Sequence, residues 1–209
     1  MPTGELIHVS RERPDDRFLV LVTGYAAAGK TTIAPLLAEE LDAVWISRDR
    51  IHEMVYSGWT PTHPALSSET YDPEVGGSVF AEGSVVWSIF LWMLQTVTAR
   101  VAVVADTPFN HEWNRVMFSA VEKEFDVPMV EVVLEGDPDT LLERARGRAE
   151  RGDVHEIKAR FSVNPLTYYS SPYQSVLPEE HVVRVDTTDL GAVDAGALAQ
   201  AVLARLTTR

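Results

Sequence analysis

Short runs of apolar, β-branched residues alternate along this chain with longer stretches whose apolar positions recur every three or four residues. The short runs are Phe18–Thr23, Ala43–Ile46, Val101–Ala105, Met129–Leu134 and Val182–Val185, and each reads as a buried strand. Between them the periodic stretches predict helices over Thr31–Leu41, Val79–Ala99, His111–Phe125 and Asp137 to about Glu150. Ala192–Leu206 predicts a last amphipathic helix. Alternation of this kind predicts an α/β domain, a parallel sheet with helices on both faces. Two segments break the rhythm, Tyr56–Gly77 and Asn164–Pro178, both rich in turn-forming residues. Each is open to two readings, a binding loop or lid, or an ordinary variable loop.

The junction of the first strand and first helix carries Gly24-Tyr25-Ala26-Ala27-Ala28-Gly29-Lys30-Thr31, a full G-x-x-x-x-G-K-[ST] pattern. Strand, glycine loop and helix are the context that makes this pattern a phosphate site. The N–H groups of Gly24, Ala26, Ala27, Ala28, Gly29, Lys30, Thr31 and Thr32 are expected to form an anion nest at a helix N-terminus. Lys30 then reaches the β- and γ-phosphates, and the Thr31 hydroxyl ligates Mg²⁺.

Ligands of such sheets bind beyond the carboxyl ends of the strands, and two more acids fall there. Asp106 ends the third strand, where an aspartate holds Mg²⁺ directly or through water. Asp49 follows the second strand and is placed to take a proton from an attacking hydroxyl, or to hold that hydroxyl in line. It also suits the N-cap of a helix over Arg50–Tyr56. Arg50 and Arg115 are candidate acceptor contacts, though Arg115 also reads as a solvated helix residue. Arg144, Arg146, Arg148 and Arg151 crowd the helix after the fourth strand. Arginines there can stabilise the charge that spreads over a transferring phosphoryl group, and a solvated helix face explains some of them.

Composition narrows the classes. The 209 residues suffice for one sizeable core, and the chain has no cysteine, which excludes disulfides, thiolate metal sites and a cysteine nucleophile. The formal net charge is −13, a field that repels a nucleic-acid backbone. The polar start carries no apolar signal core, and the apolar stretch Ser84–Val97 is too short to span a bilayer. A cytoplasmic protein without nucleic-acid or membrane partners is expected.

These motifs, in this order, resemble the small P-loop kinases of the nucleoside-monophosphate-kinase-like group, and more narrowly the zeta-toxin and chloramphenicol-phosphotransferase type. The resemblance rests on the phosphate loop, Ser47-x-Asp49, Asp106, the arginines after the fourth strand and Val185-Asp186-Thr187. It implies a single P-loop kinase domain over 1–209 with sheet order 2-3-1-4-5, a lid at about 144–160 and a substrate-side insertion at about 56–99. It implies ATP or GTP with Mg²⁺, and transfer to a small-molecule hydroxyl, with an antibiotic or nucleoside-like acceptor as one option. It places Asp49 as the base and substrate aspartate, and Arg148 or Arg151 at the phosphates. Arg144 and Asp186-Thr187 fall near the nucleotide base. Related sequences often carry an arginine three residues after the Asp49 position; His52 stands there, which leaves an acceptor contact unassigned, with Arg48 or Arg50 as replacements. Two rival functions remain open from sequence: a polynucleotide or RNA-end kinase, and a nucleotide-hydrolysing switch without acceptor. The acceptor, the choice of ATP or GTP and the oligomeric state are not encoded legibly.

Overall fold

Five parallel strands form one sheet, in the order β2-β3-β1-β4-β5. The computed structural model describes residues 17–59, 77–109, 112–150, 169 and 172–207. The strands are β1 Leu19–Gly24, β2 Val44–Ser47, β3 Val103–Asp106, β4 Met129–Glu135 and β5 Val182–Asp186. The helices are α1 Lys30–Glu40, α2 Arg48–Trp59, α3 Gly77–Thr98, α4 Glu112–Val121, α5 Pro138–Glu150 and α6 Ala195–Leu206. The sheet order agrees with the expectation from sequence. The central strand β1 is buried along its whole length between β3 and β4, which explains its unbroken apolar run.

Each face of the sheet has its own core. On one face Val20, Val22, Val104, Val130 and Val132 pack with Ile33, Ala34 and Leu37 of α1 and Leu198 and Val202 of α6. On the other, Leu19, Leu21, Val103 and Ala105 pack with Ile51 of α2, Trp87, Phe90 and Leu94 of α3 and Phe118 of α4. Leu36 of α1 is 45% exposed, and the apolar buried face of the helix consists of Ile33, Ala34, Leu37 and Ala38. Two small alanines there let the helix lie close to the strands. Of the aromatics in α3, Trp87 and Phe90 are core residues, whereas Trp92 faces outward.

Two expectations about segments change. Helix α2 starts at Arg48, directly after β2, and runs to Trp59, into the stretch read as an irregular excursion. Most of that excursion, residues 60–76, lies outside the described residues. Of Asn164–Pro178, the described part is tied down. Arg115 donates to the Gln174 and Ser175 carbonyls at 3.0 and 2.9 Å, and Glu131 accepts from the Val176 and Leu177 N–H groups at 2.7 and 3.0 Å. Residues 172–177 are thus a strap along the sheet rather than a loose loop. Glu131 is fully buried in β4, and burial pushes its carboxyl up from the ordinary range while those N–H groups and the Thr23 hydroxyl, at 2.7 Å, hold it down. A buried carboxylate needs such donors, and the strap supplies two of the three. Among the described residues, no helix is long and apolar enough to cross a membrane.

Candidate active site at the carboxyl edge of the sheet

The turn between β1 and α1 is built from backbone angles that side chains resist. Gly24 has φ 131°, and a Cβ there would lie 2.3 Å from the Leu134 carbonyl oxygen of neighbouring β4. Gly29 has φ 92°, and Ala27 between them has φ 61°. Positive φ at alternating positions turns successive N–H groups toward one point, which makes a nest for an anion. The nest opens at the N-terminus of α1, where Thr32 and Ile33 N–H groups turn back to the Gly29 carbonyl at 2.9 Å. Tyr25 braces the loop from behind, with its ring edge-on to Tyr169 and Tyr173 at 5.8 and 5.2 Å between centroids.

Lys30, the first residue of α1, is 7% exposed. Its Nζ donates to the Gly24 and Tyr25 carbonyls at 2.9 and 2.7 Å, closing the loop on itself. Burial pushes its ammonium down to about 8, against the opposing pull of Asp49 and Asp106, with Arg148 and Arg48 acting in the same direction as burial. These four charges therefore sit within electrostatic reach of Lys30, although they come from α2, β3 and α5.

Asp106, the last residue of β3, is fully buried. Trp45 Nε1 donates to its Oδ2 at 2.6 Å and the Ser47 hydroxyl to its Oδ1 at 3.1 Å. Burial pushes its carboxyl up, and the nearby Asp49 adds to that, while the Trp45 and Ser47 bonds and Lys30 oppose it. A cation beside this carboxylate would offset the cost of burying it. Its oxygens and the half-buried Thr31 hydroxyl are hard ligands, and two protein oxygens completed by phosphate and water is the usual manner of Mg²⁺ binding. The residues present fit that ion.

The turn into α2 departs from expectation. The Arg50 N–H donates to the Ser47 hydroxyl at 3.4 Å, so Ser47 occupies the N-cap, and Asp49, expected as an alternative cap, lies inside the first turn. Its carboxylate takes the Arg48 Nη1 at 2.8 Å. Arg48 is 5% exposed, with its guanidinium 5.8 Å from the centre of the Trp87 ring, and its Nε has no hydrogen-bond partner among the described residues. Arg50, expected at the acceptor, lies over the Trp45 ring at 4.4 Å and is exposed. Arg115, expected as an acceptor contact or a solvated helix residue, donates to the strap carbonyls and ties α4 to residues 174 and 175.

On the far side, Arg144 of α5 donates to the Thr187 and Thr188 carbonyls at 2.8 and 2.7 Å, joining the helix to the exit of β5. Asp186 accepts from the Thr188 N–H at 2.8 Å, and the Thr187 hydroxyl donates to the Glu135 carbonyl at 2.8 Å. Arg144, Asp186 and Thr187, expected together, are together. The end of α5 is fixed by Asp137, which caps the Thr140 N–H at 2.9 Å ahead of Pro138. Arg151 and the rest of the expected lid, beyond Glu150, lie outside the described residues.

Sequence reasoning missed Trp45 as part of the site and Glu131 as a buried anchor, and named Arg48 only as a replacement acceptor contact rather than as the partner of Asp49. Glu131 did carry a signal, a lone acid inside an otherwise apolar strand. Trp45 carried none, since an aromatic at a strand position reads as packing.

The model of the AAA domain family matches residues 19–161. Among solved structures, a provisionally named kinase from Chloroflexus aurantiacus superposes with a TM-score of 0.67 at 20% identity, covering 94% of this chain and 99% of that one. The APS kinase CysC of Mycobacterium tuberculosis, solved with AMPPNP and APS, gives 0.58 at 15% identity over 93% and 100%. Shikimate kinase from Acinetobacter baumannii, solved with shikimate, gives 0.55 at 19% identity over 88% and 90%. At these identities the likeness is one of fold, the P-loop kinase fold. No curated protein matches the sequence.

Proposed function

The chain belongs to the AAA domain family, and from that premise we propose that it is a phosphotransferase that moves the γ-phosphoryl group of ATP or GTP to a hydroxyl of a small molecule. The observation that carries this reading is the convergence of Lys30, Asp49 and Asp106 beside a positive-φ phosphate nest at one sheet edge. The similar structures, which include APS and shikimate kinases, support an acceptor of metabolite size. Narrower membership of the zeta-toxin and chloramphenicol-phosphotransferase type, and an antibiotic or nucleoside-like acceptor within it, remain part of the proposal.

In this reading the nest and Lys30 hold the β- and γ-phosphates, and Lys30 exchanges its two loop carbonyls for phosphate oxygens when nucleotide enters. Arg144, Asp186 and Thr187 line the side that takes the base. Thr31 and Asp106 would hold Mg²⁺, which would neutralise phosphate charge when bound. Asp49 orients the acceptor hydroxyl and takes its proton. The acceptor oxygen forms a bond to the γ-phosphorus as the bond from that phosphorus to the bridging oxygen breaks, leaving the nucleoside diphosphate. Arg48 holds the Asp49 carboxylate in place, and Arg148 stabilises charge on the transferring group. Arg151 is carried as a second candidate for that role.

Asp49→Asn tests this division of labour. The amide keeps size but accepts no proton, so nucleotide affinity by calorimetry should stay within about twofold while transfer falls by about 10²-fold or more. Lost affinity with surviving transfer would move Asp49 out of the base role.

A further inference from the structure

We infer that Trp45 is a positioning residue for the cation, acting through the carboxylate of Asp106. The inference rests on the proposed reading of Asp106 as a metal-holding residue and goes beyond it, since a tryptophan on the second strand forms no part of the motif. The geometry is specific. Asp106 and its two donors lie on adjacent strands, with Ser47 opposite Asp106 and Trp45 opposite Val104 in parallel register. Residues two apart on a strand share a face, so both side chains of β2 rise on the same side as the carboxylate. The indole N–H closes on Oδ2 at 2.6 Å and the Ser47 hydroxyl on Oδ1 at 3.1 Å, one donor for each oxygen. An ionised carboxylate has about four lone-pair sites, so each oxygen keeps one for a cation or its water. The indole itself is clamped: the Arg50 guanidinium covers its face at 4.4 Å, and its ring packs against the core of the α1 face.

A carboxylate held at both oxygens presents its remaining lone pairs in one direction. Remove the indole donor, and Oδ2 of a buried group loses its partner and the side chain is free to leave the direction in which it presents those lone pairs. Partners that orient metal ligands in this way typically change metal affinity by about 10–100-fold when lost. Trp45 is half-buried on an edge strand, so its ring is replaceable without dismantling the sheet.

The test compares wild type with Trp45→Phe, which keeps an aromatic ring and removes the N–H. A non-hydrolysable ATP analogue is held saturating and Mg²⁺ is titrated, with binding followed by calorimetry and by intrinsic fluorescence. The chain has five tryptophans, so the difference between the two proteins isolates the signal of Trp45. Mg²⁺ affinity should fall by about 10-fold or more in the variant. Affinity for the analogue without metal should stay within about twofold, and the Mg²⁺-dependent emission change should vanish. Unchanged Mg²⁺ affinity would overturn the inference. So would an equal loss of analogue affinity with and without metal, which marks a general structural effect. If Trp45→Phe does not fold, the isosteric tryptophan analogue with sulfur in place of the indole N–H makes the same comparison. A wild type that binds the analogue no better with Mg²⁺ than without would remove the metal reading of Asp106 itself, a result distinct from the two above.

Discussion

Lys30 is buried as a cation, and that makes function costly to stability. Its ammonium loses its proton near pH 8 in the folded protein and at 10.5 in the unfolded chain. Below about pH 8 both states carry the charge, and the folded state bears the full cost of burying it. As pH rises from there to 10.5 the unfolded chain holds the extra proton, so stability rises with pH across that window. Lys30→Met should therefore stabilise the nucleotide-free protein at pH 7 by about 1–3 kcal/mol, read as a higher melting temperature. The gain is trimmed by the bonds lost at the Gly24 and Tyr25 carbonyls, and it should shrink as pH approaches 10.5. The same variant should lose most phosphoryl transfer, about 10²-fold or more. A variant that melts lower at pH 7 would show that the ammonium is not desolvated as described. A motif fixed both residue type and context for Lys30, Thr31, Asp49 and Asp106, and these are the positions the sequence marks most sharply. Trp45 was not legible, because its bond to Asp106 depends on a proximity that only the folded sheet creates, and Arg48 was read only as a replacement acceptor contact. The bonds of Arg115 to the Gln174 and Ser175 carbonyls were equally out of reach of the sequence.

At the scale of elements, alternation of short apolar runs and helical stretches sufficed for a parallel α/β sheet, and the family resemblance supplied the strand order that the structure has, but neither fixed the segments between elements. The strap at 172–177 owes its place to Glu131, and removing that carboxylate tests the account. Glu131→Ala leaves the Val176 and Leu177 N–H groups and the Thr23 hydroxyl without their acceptor and opens a cavity beside β1. A loss of about 2–4 kcal/mol in chemical denaturation is expected. Glu131→Gln keeps one acceptor oxygen for the two N–H groups and offers its amide to the Thr23 hydroxyl. It also removes a buried charge, so its loss should stay below about 1 kcal/mol. Equal effects from the two substitutions would contradict the anchoring role. Helix α5 gives a second test by dividing its arginines. Arg148 is within reach of the Lys30 charge, whereas Arg144 is bound to the exit of β5. Arg148→Ala should lower kcat far more than it raises the nucleotide KM, since its contact strengthens as charge spreads. Arg144→Ala should act mainly on nucleotide affinity. Steady-state kinetics that leave kcat within about twofold in both variants would reduce the cluster to a solvated helix face.

For the molecule as a whole, the sheet places the glycine loop, the buried Asp106 carboxylate proposed for the cation and the candidate base along one edge, while the net charge of −13 sets what can approach it. The local cations Lys30, Arg48 and Arg148 favour a small triphosphate there, but the overall field opposes a long phosphate backbone. Binding to single-stranded or duplex nucleic acid should be undetectable at physiological salt, as judged by fluorescence anisotropy. Micromolar binding with a steep salt dependence would favour an end kinase instead. The central claim, transfer rather than hydrolysis, is tested most directly by the fate of a γ-labelled nucleotide. Wild type and Asp49→Asn are incubated with γ-labelled ATP, then GTP, with Mg²⁺ and a panel of small hydroxyl compounds. The account predicts label in a new organic phosphate with wild type and its disappearance with Asp49→Asn. Label released only as inorganic phosphate, at the same rate from both proteins, would contradict it and mark a nucleotide-hydrolysing switch.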